Sequence, residues 1–471
     1  MKPRLFSALA AAVLLLGVEP GIAQTRTTYL GATLLDPATE TVRPDAYLVV
    51  EDGRIVEVGQ GRPNDPGVIQ DVKGLYALPG LIDTHAHITL GPSRVGTDDN
   101  GPYLEALDRP DIVAHNAARL LAYGVTTVRN PGGDGVLNRR YDADRKAGVL
   151  VGPEALHAGE VIDRSAFPFR GLVTRPSETL SITEIIRRQA EGGARYIKLY
   201  EALSEADLGE GITAAHAHGL PAIGHLSDVS WSRAARMGID ALVHMMPISP
   251  ELLPADRRDD YVADRKLGGF AFYQWFEAAD FDAPEIVDMI QTLARHRVHV
   301  DATLIAFQPA YWGDDAAVLD RDVEIIHPDM RANWDQGFRF DAGWEPQDYA
   351  RAKVVWPKVL ELTRRMYAAG VPMTIGTDMA NPYIAPGISV AREMALHQQA
   401  GIPAWAVLRM ATSDAASILK LDARLGTLAV GKEADIVFLG ADPLDSIDAM
   451  TDVRMVVADG QVVDREGLLG L

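Results

Sequence analysis

The sequence predicts an α/β protein, a (β/α)8 TIM barrel inserted in a small β-sandwich domain built from both chain ends. Three observations predict it. From residue 78 onward short apolar runs alternate with helical segments, the mark of βα units and a parallel sheet, and eight such units can be counted. The flanking stretches, 24–76 and 420–471, read as short strands with hairpin turns and no helical period. Residues able to bind metal fall at the ends of the apolar runs, where a barrel gathers its active site at one mouth.

The chain has 471 residues, which suits one large domain plus a smaller one. Its 65 acidic residues outnumber 45 basic ones, for a net charge of -20. That balance argues against a nucleic-acid binder, which shows a basic face. The absence of cysteine excludes disulfides, thiolate ligands and a thiol nucleophile. The N-terminus reads as a targeting segment. Lys2 and Arg4 precede an apolar stretch over 5–18, and Gly21-Ile22-Ala23 offers a small-x-small cleavage site. The run is short for a bilayer span. Residues 1–23 are therefore expected to be a cleaved signal peptide, giving a periplasmic or secreted protein with no membrane anchor.

The opening stretch holds a strand at 28–34 and two more, 46–51 and 54–58, around the hairpin signal Asp52-Gly53. The barrel region is expected to span 77–419. Its strands are read at 78–87, 125–128, 153–158, 196–199, 221–225, 241–244, 298–304 and 371–378. Pro110 starts a helix that buries Ile112, Val113, Ala117, Leu120 and Leu121 and stops at Gly124. Ser181-Ile182-Thr183-Glu184 is a capping box, and Ser204 and Ser230 start two further helices. No Gly-x-Gly-x-x-Gly follows the first strand, which argues against a dinucleotide fold. Two connections, 245–283 and 305–347, are long enough to be functional or lid-like, or to form an oligomer contact. The second carries Trp312, Trp334 and Trp344, read as packing residues. The strands of the tail, with a turn at Asp459-Gly460, are expected to pair with the opening strands.

His85 and His87 close the first apolar run, and in a strand both point the same way. Lys198 lies in the fourth run, His225 ends the fifth, His244 the sixth and Asp378 the eighth. Four imidazoles, a lysine and a carboxylate suit Zn²⁺, with Mn²⁺ as the other option.

This set resembles the amidohydrolase superfamily of metal-dependent hydrolases. Pro79-Gly80-Leu81-Ile82-Asp83-Thr84-His85-Ala86-His87 is similar to its first-strand motif. Tyr196-Ile197-Lys198-Leu199-Tyr200 resembles its lysine strand, Gly224-His225 and Leu242-Val243-His244 its next histidine positions, and Gly376-Thr377-Asp378 its last-strand aspartate. Ala411-Thr412, Ala415-Ala416 and Gly431-Lys432-Glu433-Ala434-Asp435-Ile436-Val437 resemble its C-terminal run. The resemblance is closest to an exported branch related to imidazolonepropionase and prolidase-like metal-dependent dipeptidases. It implies two divalent ions: His85, His87 and Asp378 on one, His225 and His244 on the other, and a CO2-derived carbamate on Lys198 with a hydroxide bridging both. A buried lysine has a lowered pKa and can add CO2 as a free amine. The metals would bring the pKa of bound water toward ~7, and Asp378 would take its proton and pass it to the leaving amine.

The expected reaction is hydrolysis of an amide C–N bond in a small molecule: a dipeptide, an N-acyl amino acid or a cyclic amide. An ester, lactone or phosphotriester hydrolase could use the same site, and a non-catalytic binding barrel is the reading from another class. A deaminase is disfavoured, because Leu226-Ser227-Asp228-Val229 does not fit the acid those relatives use and Lys198 is left unexplained. Arg129, His157 and Tyr200 are candidates for holding substrate, with Arg164 and Arg170 behind them. His115, His216, His218, His296, His299, His327 and His397 lack strand-end positions and are read as structural or surface residues.

Overall fold

The computed structural model describes residues 26–99, 101–165, 168–266 and 268–470. The segment 1–23 read as a signal peptide lies outside the described residues.

Both chain ends contribute to one eight-stranded sheet. Thr27–Asp36, Thr41–Glu51, Arg54–Gln60, Val68–Asp71 and Tyr76–Pro79 come from the N-terminal side, and Ile436–Leu439, Val453–Ala458 and Gln461–Val462 from the C-terminal side. The two sides join where Tyr76–Pro79 runs antiparallel to Ile436–Leu439. The apolar run over 78–87 is therefore not one strand. Leu78 and Pro79 belong to this sheet, and the chain changes partner at Gly80. Gly80 N donates to Asp435 O and Leu81 N to Gly124 O, each at 2.9 Å. A Cβ at residue 80 would stand 2.2 Å from Thr126 Oγ1, so only glycine lets the backbone pass there.

Beyond Gly80 the architecture is α/β and TIM-barrel-like. Leu81–Asp83, Val125–Asn130 and Glu154–His157 form a parallel three-stranded sheet. Ile197–Leu199, Ala222–Gly224, Ala241–Val243, His299–Asp301 and Met373–Thr374 follow in chain order in a second parallel sheet. Parallel bridges Ala86–Met379 and Ala158–Tyr196 stand between the two sheets. These strands are shorter than their apolar runs, because the residues that follow each strand bend into the mouth.

Helices separate the strands, and their ends follow local chemistry. Pro110–Ala122 has proline in its first turn, where no amide donor is lost. Ser204 and Asp207 form a reciprocal capping box at Glu205–Ala217. Gly238, at φ +95, ends Trp231–Met237 in the left-handed conformation. The helix Pro110–Ala122 buries Ile112, Ala117 and Leu120 completely. Each buried large aliphatic contributes about 1.5–3 kcal/mol, against about 1 kcal/mol from a cap and a few tenths from an exposed pair.

Three features lie outside the sequence reading. Ser93–Asp98 and Gly101–Ala106 form a hairpin that Phe169–Arg170 joins as a third strand. The connection 245–283 folds into the helices Ala255–Asp264 and Ala271–Ala278. The connection 305–347 contains Gln308–Tyr311, Ala316–Leu319 and Pro328–Gln336. Phe169, Phe272, Phe307, Phe338 and Phe340 from these parts of the chain line one cavity. Among the described residues no helix is long and apolar enough to cross a membrane.

Candidate metal centre

His85, His87, Lys198, His225, His244 and Asp378 all line one cavity of about 250 Å³. Asp378 Oδ1 lies 3.3 Å from His85 Nε2 and 3.4 Å from His87 Nε2, and Asp378 Oδ2 lies 3.9 Å from His244 Nδ1. The rings form a continuous cluster, with centroids 4.9 Å apart for His85 and His244 and 4.6 Å for His225 and His244. His85, His244 and Asp378 offer ligand atoms within 4.8 Å of one another, a candidate metal site.

The backbone at these strand ends is held in place by buried acids. The Asp83 carboxylate accepts from His85 N at 3.0 Å, Thr377 N at 3.1 Å and Thr377 Oγ1 at 2.6 Å, tying the first strand to the segment that carries Asp378. Gly376 has no room for a Cβ, which would approach His85 Cβ to 2.7 Å. Asp378 and His244 adopt φ of +65 and +63. Such conformations cost of order 1–3 kcal/mol each and concentrate at functional sites. The Glu393 carboxylate accepts from Leu304 N and Ile305 N at 2.9 and 2.6 Å. These bonds fix the turn after the seventh strand, where Thr303, at φ +44, holds His244 Nδ1 at 2.8 Å.

His87 Nδ1 lies 2.8 Å from Gly132 O, which can only accept, so Nδ1 donates there and Nε2 is the nitrogen turned toward Asp378. Burial lowers His85 and, more strongly, His244, so both imidazoles are neutral. Burial also lowers Lys198 to about 7, against the pull of the Asp378 carboxylate. Asp378 is pushed up by burial, but His244, His85 and His87 bring it well below the ordinary range. Lys198 Nζ has no hydrogen-bond partner among the described residues, while His225 Nε2 stands 3.0 Å from Glu201 Oε1. Orphaned buried donors are costly unless something fills the space between them. The neutral imidazoles of His85 and His244, an ionised carboxylate and an amine that releases its proton near neutral pH suit metal binding. The residues fit a divalent cation.

The three substrate candidates separate. Tyr200 lines the cavity, its ring 4.5 Å from that of His225. Burial, then the charges of Glu201 and Asp378, push its phenol well above the ordinary value, so it stays a donor. Arg129 does not reach the cavity, which corrects the sequence reading. Its side chain is fully buried beneath the site, ion-paired with Asp301. Its Nε donates to Thr84 O at 2.7 Å, and its Nη1 lies 3.0 Å from His299 Nε2. His157 is a second correction, since it lines a separate groove and stands 3.2 Å from Asp142 Oδ1 and 3.1 Å from Asn130 Nδ2. Arg164 is held by Asp207, and Arg170 lies over Tyr103. His115, His216, His327 and His397 make local contacts, with Ile325 O, Asp240, Asp329 N and Glu393 O.

Sequence reasoning passed over Asp301, Thr303 and the phenylalanines of the long connections. Asp301 is fully buried, its Oδ2 3.7 Å from His85 Nδ1, and it accepts from Thr84 Oγ1 at 3.0 Å. Burial raises its pKa, but Arg129 and His85 hold it well below the ordinary range, so it is a permanent anion behind His85. An acid at the end of the apolar run Val298-His299-Val300-Asp301 was the available signal.

Comparison with known proteins gives a consistent picture. A family profile described as "Amidohydrolase family" matches residues 76–463. The chain is 25% identical over 457 residues to 5-methylthioadenosine/S-adenosylhomocysteine deaminase of Desulforudis audaxviator, covering 89% of each. It is 35% identical over 123 residues to imidazolonepropionase of Streptococcus sanguinis, an alignment that spans only 29% of that relative and 20% of this chain. Among solved structures, a Xaa-Pro dipeptidase with bound methionine superposes at a TM-score of 0.66 and 18% identity, covering 93% of this chain and 99% of that one. Bottromycin amidohydrolase superposes at 0.69 and 23% identity, covering 94% and 88%. At such identities these likenesses show the fold.

Proposed function

The chain belongs to the amidohydrolase family, whose chemistry is the hydrolysis of carbon–nitrogen bonds, and from that premise we propose that it is a dinuclear metal-dependent hydrolase cleaving an amide C–N bond in a small substrate. The observation that carries this reading is Lys198. A fully buried amine with no hydrogen-bond partner among the described residues, lowered to about 7, stands among His85, His244 and the Asp378 carboxylate. A structural lysine would be paired, and a deaminase-like single-metal site leaves it without a task. Asp228, at the position where a deaminase acid was sought, faces Arg265 at 3.4 Å and does not line the cavity.

In this reading His85, His87 and Asp378 would hold one divalent ion and His225 and His244 the other, zinc or manganese, and Lys198 would contribute as a carbamate. When bound, the metal pair supplies hydroxide at neutral pH and polarises the scissile carbonyl. Asp378, held ionised, takes the proton of the attacking water at its carboxylate and delivers it to the leaving nitrogen. Tyr200, held protonated, donates to a substrate oxygen. Asp301 and Thr303 orient His85 and His244, and such outer partners are worth roughly 10–100-fold in metal affinity. The parallel strands are read as a closed eight-stranded barrel on a β-sandwich, and the protein as an exported one.

The deciding experiment is turnover of a panel of dipeptides, N-acyl amino acids, cyclic amides, lactones and phosphotriesters. It uses protein loaded with zinc or manganese in the presence of bicarbonate. Amide cleavage that a chelator abolishes and metal restores is the expected result. Preference for lactones or phosphotriesters would move the reading to ester chemistry, and no turnover in any class would refute it.

A further inference from the structure

We propose that the cavity takes a neutral, apolar amide with an aryl or bulky aliphatic group beside the scissile bond, and rejects substrates that carry a free carboxylate. The inference rests on the amide-hydrolase reading above and narrows it, setting free dipeptides and N-acyl amino acids aside.

Five phenylalanines build an aromatic wall, and all five line the cavity that holds the histidines. They come from distant parts of the chain and touch in sequence: Phe169 to Phe338 at 6.3 Å, Phe338 to Phe340 at 6.1 Å, Phe340 to Phe272 at 5.6 Å and Phe272 to Phe307 at 5.6 Å between centroids. Tilted and edge-on rings at these spacings offer faces and edges to a further ring.

The cations beside this wall are turned away from it. Arg339 sits between Phe338 and Phe340, yet its guanidinium is held by Asp341 Oδ1 at 2.7 Å, Tyr383 Oη at 3.0 Å and Gly313 O at 3.0 Å. Both rings line the cavity while the guanidinium between them is held on the other side by these partners. Arg170, next to Phe169, stacks on Tyr103 at 3.5 Å and pairs with Asp98. Arg129 is committed to Asp301 beneath the site. Among the described lining residues there is no arginine, and Lys198 is the one lysine. Away from the metal ligands, Tyr200, Thr303 and Asn381 are the polar groups left, and all are neutral. They suit a carbonyl or an amide. A carboxylate lodged against this aromatic wall, away from the metal ligands, loses its water without gaining a cation, a cost that corresponds to about a hundredfold or more in affinity.

The test compares acetanilide with 4-acetamidobenzoate, which share a scissile anilide and differ by one carboxylate, and with acetamide, which lacks the ring. The metal-loaded full-length chain is assayed for kcat/KM, and dissociation constants are measured in parallel by ligand-observed NMR. Acetanilide is expected to exceed both others by about a hundredfold in binding and in turnover. Phe340→Arg is expected to shrink the gap to 4-acetamidobenzoate at least tenfold. Equal or better binding of 4-acetamidobenzoate by the wild-type chain would overturn the inference and leave the hydrolase reading standing. Preferential binding of acetanilide with no turnover of any amide would refute the hydrolase reading and leave the pocket's selectivity intact.

Discussion

Arg129→Met distinguishes a structural guanidinium from a substrate-binding one. In the structure Arg129 and Asp301 are both fully buried and paired, and the same guanidinium caps Thr84 O and stands beside His299. Methionine keeps much of the side-chain volume but leaves the Asp301 carboxylate without its cation. Thr84 Oγ1 and Thr374 Oγ1 still donate to it, and neither carries charge. Breaking a buried pair from one side costs about 3–5 kcal/mol, because an uncompensated charge remains in a low dielectric. The loss is read from urea unfolding of metal-stripped protein, followed by the buried Trp231 and Trp275. The double variant Arg129→Met/Asp301→Asn removes the orphaned charge and is expected to recover most of the stability. A loss below about 1 kcal/mol in the single variant, together with a raised KM for carboxylated substrates alone, would refute the reasoning and return Arg129 to the substrate.

Thr303→Val removes the hydroxyl 2.8 Å from His244 Nδ1 at nearly constant volume. Metal affinity is expected to fall roughly 10–100-fold with stability lowered by about 1 kcal/mol, checked by chelator competition. Glu393 is raised to about 8 because burial outweighs its two amide donors. The folded protein therefore keeps a proton that the unfolded chain releases near ~4.5, and stability declines from pH ~4.5 up to ~8 by on the order of 4 kcal/mol. In Glu393→Gln that decline is expected to flatten, and an unchanged slope between pH 5 and 8 would contradict the assignment. Mass spectrometry of the exported protein is expected to find an N-terminus near Gln24, and an intact Met1 in that fraction would contradict the signal-peptide reading.

The strand-end positions were legible because each potential ligand interrupts an apolar run, where a polar side chain needs a reason. His85, His87, Lys198, His225, His244 and Asp378 do line one cavity. What the local pattern could not show is direction. Arg129 and Asp378 both follow apolar strands, yet the guanidinium is buried against Asp301 and Thr84 O while the carboxylate reaches the histidines. The run from Leu78 to Asp83 looks continuous because both sides of Gly80 are buried, though in different sheets. The aromatic wall was the least legible part. Phe169, Phe272, Phe307, Phe338 and Phe340 lie in connections without a regular period, and only tertiary folding brings them together. The tryptophans of 305–347 are the more conspicuous residues, but Trp334 and Trp344 are buried in packing and do not line the cavity.

If Lys198 bridges two metal ions, the metal content per chain decides it most directly, measured by inductively coupled plasma mass spectrometry on wild type and Lys198→Ala purified without chelator. About two divalent ions are expected in the wild-type protein, with loss of both metal and turnover in the variant. A Lys198→Ala protein that keeps two ions and wild-type turnover would contradict the bridging role.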